Sequence, residues 1–131
     1  MKTIALLSTM YLLLNPVFAA SEITFDEVNN TFGAEANLTD LQKDEMWKKY
    51  RGKCVEWTGI LTHLDSGMFG GIDIGMKHLR ETLTFDVLIS APKSMKEKFM
   101  SWQQNKQYTY RATLERYGGF FLPISADWGC E

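Results

Sequence analysis

Apolar and polar positions along this chain follow two rhythms, and the change from one to the other divides it. Phe25, Val28 and Phe32 recur at helical spacing inside the capping box Thr24-Phe25-Asp26-Glu27, and Gly33 stops the run. A second box, Thr39-Asp40-Leu41-Gln42, opens a stretch with Leu41, Trp47 and Tyr50 on its apolar side. Lys48, Lys49 and Arg51 then meet the negative helix end before Gly52. Both apolar faces are narrow, so two short helices docked on a larger body are predicted.

From Cys54 the period drops to two. Val55 and Trp57 alternate with Glu56 and Thr58, Gly59 interrupts with a predicted bulge or tight bend, and Leu61 and His63 follow. A loop through Asp65-Ser66-Gly67 and Gly70-Gly71 leads to a second strand at Ile72, Ile74 and Met76, and to a third at Leu83, Phe85, Val87 and Ile89. Met95, Phe99 and Trp102 then return to helical spacing, with Lys93, Lys96, Glu97 and Lys98 on the polar side. A fourth strand carries Tyr108, Tyr110, Ala112 and Leu114. After Tyr117-Gly118-Gly119 a fifth runs from Phe120 to Ser125, with Pro123 suiting an edge or a strand end. Strand, strand, strand, helix, strand, strand is the order of the OB-fold, a five-stranded Greek-key barrel with its helix between strands three and four. The predicted class is thus an all-β barrel with two added N-terminal helices. Another small barrel, or a five-stranded sheet packed on helices, ranks second.

The first residues change where this barrel is expected to work. Lys2, the apolar run Ile4 to Leu14 and the small-x-small signal Val17-Phe18-Ala19 form a signal-peptide pattern, too short to be read as a membrane span. The expected organisation is a signal peptide at 1–19, a helical extension at 20–52 and a barrel at 53–131, soluble in the periplasm or secreted. Of 14 basic and 16 acidic residues the signal removes only Lys2, leaving a net charge of −3. A protein that grips polyanions by phosphate neutralisation is expected to carry a basic surplus, so the balance counts against nucleic acid without excluding a local patch. Cys54 and Cys130 are the only cysteines, and in an exported chain they read as one disulfide. No C-x-x-C points to redox work. The sequons at Asn29 and Asn37 read as incidental in a bacterial periplasm.

The stretch from Leu38 to Lys53, followed by Val55, Trp57, Thr58 and Gly59, resembles bacterial exported or lipoprotein-type OB-fold proteins, tRNA-anticodon-binding-like domains often labelled nucleic-acid-binding-like. Thr82 to Val87 and Tyr108 to Gly118 extend the likeness over most of the exported part. The resemblance implies a fold far better than a function, and it brings no catalytic set with it. The chain departs from that pattern in its two cysteines and in lacking a lipid-acceptor cysteine.

Candidate chemistry is sparse. OB barrels bind ligands on strands two and three and the neighbouring loops. Outward positions there read as Asp73, Gly75, Lys77, Thr82, Thr84 and Asp86, without the aromatic platforms that single-stranded nucleic acid needs. The candidate ligand-binding residues are Asp73 on that face, Phe69 in the first loop, Lys77, His78 and Arg80 beside the second turn, and Tyr117 and Phe120 at the last hairpin. Such a cluster suits a peptide, a glycan or a short oligonucleotide. The same residues also fit a closed barrel end with solvated charges. Trp57, Tyr108 and Tyr110 read as core from their period, and Trp128 as either a lid or a tucked indole. His63, Asp65 and Ser66 lack an elbow motif, and His63, Asp65, Asp73 and His78 lack metal-ligand spacing. No catalytic residue, metal or cofactor is therefore expected. The chain reads as an exported, non-enzymatic binding module for a protein or another envelope component, with an oligonucleotide and the glycan of a toxin-like assembly as alternatives.

Overall fold

The computed structural model describes residues 22–33, 35–67, 70–118 and 123–130. Five strands close into a barrel: β1 (Cys54–Ser66), β2 (Ile72–Lys77), β3 (Val87–Ala91), β4 (Gln107–Arg116) and β5 (Ile124–Trp128), in the order β1-β2-β3-β5-β4. Every pair is antiparallel except β3 with β5. Two helices precede the barrel, α1 (Phe25–Phe32) and α2 (Asp40–Trp47), and a short one, α3 (Lys96–Met100), follows a single 3-10 turn between β3 and β4.

Local signals account for the helices. The Thr24 hydroxyl accepts from the Glu27 amide at 3.1 Å, and Phe25, Val28 and Phe32 are buried. Thr39 and Gln42 satisfy each other's backbone amides as a full capping box. α2 is shorter than the pattern implied: it ends at Trp47, and turns carry the chain to Gly52 at φ +80°. Leu41, expected on its apolar side, is 73 % exposed, and Trp47 alone is buried.

Inward positions of the strands build one core from Val55, Trp57, Ile74, Met76, Ile89 and Leu114, with Phe99 of α3 entering it at 1 % exposure. The β1 bulge falls between Leu61 and His63, away from Gly59. Gly59 answers a different need: a Cβ there would sit 2.8 Å from Nε2 of the His78 ring. β3 begins at Val87, so Leu83 and Phe85 belong to the preceding loop, where Leu83 is 98 % exposed. β5 starts at Ile124, and Phe120 to Leu122 lie outside the described residues.

The Sγ atoms of Cys54 and Cys130 lie 1.95 Å apart, joining the start of β1 to the residues after β5. Trp128 is tucked in, with its ring centroid 4.8 Å from Phe99 and 5.7 Å from Trp102. The cross-link closes a span of 76 residues, so replacing both cysteines by serine is expected to cost up to about 4 kcal/mol of stability through unfolded-chain entropy. Urea unfolding of the oxidised protein and the double variant measures it, and equal midpoints would contradict it.

Candidate functional site

The densest polar chemistry lies in the loop between β2 and β3. Both carboxylate oxygens of Asp86 accept from the His78 amide, at 2.9 and 2.8 Å, and Oδ2 also accepts from the Leu79 amide at 2.7 Å and from the Thr82 hydroxyl at 3.1 Å. Nδ1 of His78 lies 2.6 Å from Oδ1. With the carboxylate ionised, Nδ1 donates to it, and Nε2 lies 3.0 Å from the Tyr110 hydroxyl, a hydrogen-bonded pair. Burial opposes ionisation of Asp86, but hydrogen bonds from the His78 ring and from two amides outweigh it and hold the carboxyl below its usual range. Burial, and then the charge of Asp86, push the Tyr110 hydroxyl well above its ordinary value.

Asp, His and Tyr in series resemble a relay, yet this one is sealed. The His78 and Asp86 side chains are 4 % and 12 % exposed, and Tyr110 is 2 % exposed. Phe25 of α1 stacks on the His78 ring at 4.5 Å and 11°, and Trp57 meets Phe25 edge-on at 5.3 Å. The Trp57 indole donates to the Ile23 carbonyl at 2.9 Å. The network thus clamps α1, the loop and β4 together. His78 is enclosed here instead of standing at a rim, and Asp86, expected outward, is turned into the loop as its cap.

The other sequence candidates scatter. Asp73 lies on the outside of β2, opposite Asp65 of β1 and Ser90 of β3. Lys77 ends β2 opposite Ile60, and Arg80 is exposed in the loop. Tyr117 packs on Phe32 and Trp47 and donates its hydroxyl to Asp44, which pushes its pKa up to about 12. Its ring therefore ties the segment after β4 to α1 and α2, away from Asp73 and Lys77. Phe69 and Phe120 lie outside the described residues. No group of three or more potential metal ligands gathers among the described residues.

Sequence reasoning missed two features. Phe85, assigned inward, lies outside the barrel over Gly75, where a Cβ would come 2.5 Å from its Cδ1, and its ring centroid is 5.5 Å from that of His63. The second is a cleft of about 250 Å³ at the barrel end, between the β1–β2 hairpin and α3. Leu64, Ile72, Phe99 and Met100 give it apolar walls, and Lys93 and Lys96 stand at its side. Leu64 is 37 % and Met100 69 % exposed. Met100 sits off the Met95–Phe99–Trp102 stripe, and an apolar residue out of phase was the available signal. A larger hollow of about 650 Å³ runs between residues 22–26 and the outside of β1. Glu22, Asp26 and Glu56 line it, and its cation Arg111 already pairs with Glu56 at 3.2 Å.

No family model, curated protein or solved structure matches the chain.

The clamp has consequences for pH and for packing. The folded pKa of Asp86 is depressed, so its stabilisation is complete above the ordinary carboxylate range and is lost as pH falls through the lower folded value. Tyr110 is the opposite case: its folded pKa is raised, so its contribution is present below the ordinary tyrosine value and lost at higher pH. Asp86→Asn is expected to destabilise by about 1–3 kcal/mol at neutral pH and to flatten the acid limb of the stability profile. Chemical denaturation across pH checks both, and an unchanged acid limb would refute the assignment. Gly59→Ala drives a methyl group into the His78 ring and is expected to lower the thermal midpoint. An unshifted midpoint would contradict that contact.

Proposed function

We propose that this chain is an exported, non-enzymatic binding module on an OB-type Greek-key barrel, and that it recognises a polypeptide of the envelope or its surroundings. The observation that carries this is the cleft between the β1–β2 hairpin and α3, where Leu64 and Met100 keep apolar surface in water beside a concave floor. The barrel order and the helix between β3 and β4 in the chain favour the OB reading. So does the likeness to exported OB-fold proteins carried by residues 38–59. The signal-peptide pattern favours the periplasm or the exterior as the workplace.

The enclosed Asp86–His78–Tyr110 series supports the non-enzymatic reading, because the His78 ring and Tyr110 are covered and the Asp86 carboxylate is taken up by donors of its own loop. The nucleic-acid alternative fares worse than the polypeptide. Outside β1, β2 and β3, Phe85 and His63 offer one stacking place, and Lys77 one cation, against Asp65, Asp73 and the neutral Leu88 and Ser90.

Titration of the oxidised mature protein into a labelled random oligonucleotide at low salt is expected to give no saturable anisotropy change, whereas a display library of short random peptides is expected to yield specific binders. Recovery of no peptide would overturn the proposal, and saturable, salt-sensitive oligonucleotide binding beside that result would put nucleic acid in its place.

A further inference from the structure

We infer that the outer edge of β1 near Leu64, with the cleft beside it, is an acceptor for an extended polypeptide strand carrying an apolar side chain next to an acidic one. This rests on the binding-module reading and names the chemistry of its partner. β1 is longer than the strands that flank it: it pairs with β4 from Cys54 to Ile60 and with β2 from Ile60 to Ser66. On the β4 side, the Leu61 amide still donates to the Lys106 carbonyl at 2.9 Å, and the Asn105 amide donates to the Leu61 carbonyl at 2.7 Å. The side chain of Gln104 then reaches the Thr62 carbonyl at 3.4 Å. From His63 to Ser66 no described strand lies on that side. A free strand edge is a template for another backbone, and extended peptides use such edges for their main-chain hydrogen bonds.

Hollows on both sides of Leu64 make this edge a trough. One of about 330 Å³ is bordered by Thr62, His63, Trp102 and Gln104, and the apolar cleft of about 250 Å³ lies towards α3. Leu64 and Asp65 line both. An added strand places alternate side chains on one side, which suits a single apolar anchor entering the cleft against Phe99 and Met100.

Charge selects what stands beside the anchor. Lys93 and Lys96 border the cleft, and neither forms an ion pair among the described residues. Asp65 repels an acid at the hairpin end, and its carboxylate already accepts the Ser66 amide at 2.7 Å, which ends the usable edge there. The partner's carboxylate is therefore directed towards α3. A fatty acid would use the cleft and the lysines but gain nothing from the edge, and a nucleic acid would meet the lysines without a stacking ladder.

The experiment is selection of a display library of short random peptides on the oxidised mature protein, followed by affinity measurement of the recovered peptide. Recovered sequences are expected to pair an apolar residue with a nearby acid. Lys93→Glu combined with Lys96→Glu, both surface changes, is expected to weaken binding by at least about tenfold, and replacing the peptide's acid by lysine to recover it on that variant. Alternate N-methylation of the peptide backbone should abolish binding, because it removes the edge bonds without touching the protein. Peptides that bind regardless of charge reversal and N-methylation would overturn this inference while leaving the binding module standing. Recovery of no peptide would overturn both. Dodecanoate is expected to leave the Met100 methyl resonance unmoved, and a saturable shift would overturn the inference in favour of a lipid.

Discussion

One ionised carboxylate organises much of this molecule. Asp86 gathers the amides of His78 and Leu79, the hydroxyl of Thr82 and the ring of His78, while its own amide donates to Met76 and its carbonyl accepts from Ile124. That one residue therefore shapes the β2–β3 loop, fixes where β3 begins and contacts the start of β5. Through His78 the grip reaches Tyr110 on β4 and Phe25 on α1. A largely covered charge held by so many donors is stable as a set and costly to break singly, because any lost partner leaves the others short of a hydrogen bond. Gly59 follows from the same constraint, since only a residue without Cβ leaves the imidazole its place.

Barrel closure has a consequence at the other end. A strand of 13 residues bends at its bulge so that its first half serves β4 and its second half β2. Past the bulge one edge of β1 faces side chains of the α3–β4 connection, with no strand there among the described residues. The aromatic group of Phe99, Trp102, Tyr108 and Trp128 stiffens that connection, with Trp102 and Tyr108 stacked at 4.1 Å. Phe99 belongs both to this group and to the cleft wall, so the cleft is backed by packed rings rather than by a loose loop.

The alternating segments of β1, β2 and β4, the Thr24 cap of α1 and the capping box of α2 were legible in the sequence because each is encoded over a few neighbouring residues, whereas the Glu27 carboxylate that would complete a box on α1 accepts from the Tyr50 hydroxyl instead. The start of β3 was not. Leu83 and Phe85 continue the period of Val87 and Ile89, and only the tertiary demand of Asp86 for amide donors pulls them out of the sheet. Position in the chain gave His78 as a rim residue for the same reason: nothing local says that Phe25, some fifty residues earlier, will cover it. Tyr117 was drawn away likewise, by Asp44. The cleft was illegible because a free edge is a relation between three strands. Its one local trace was Met100, out of phase on α3.

Backbone hydrogen exchange of the free, oxidised protein, read residue by residue along β1, reports whether its outer edge is open to a second strand. The amides between His63 and Asp65 that face away from β2 are expected to exchange like exposed loop, while those facing β2 and all inward pairs with β4 are protected. Protection on both sides of β1 in the free protein would mean that the edge is already covered, and the account of a strand-accepting trough would fail.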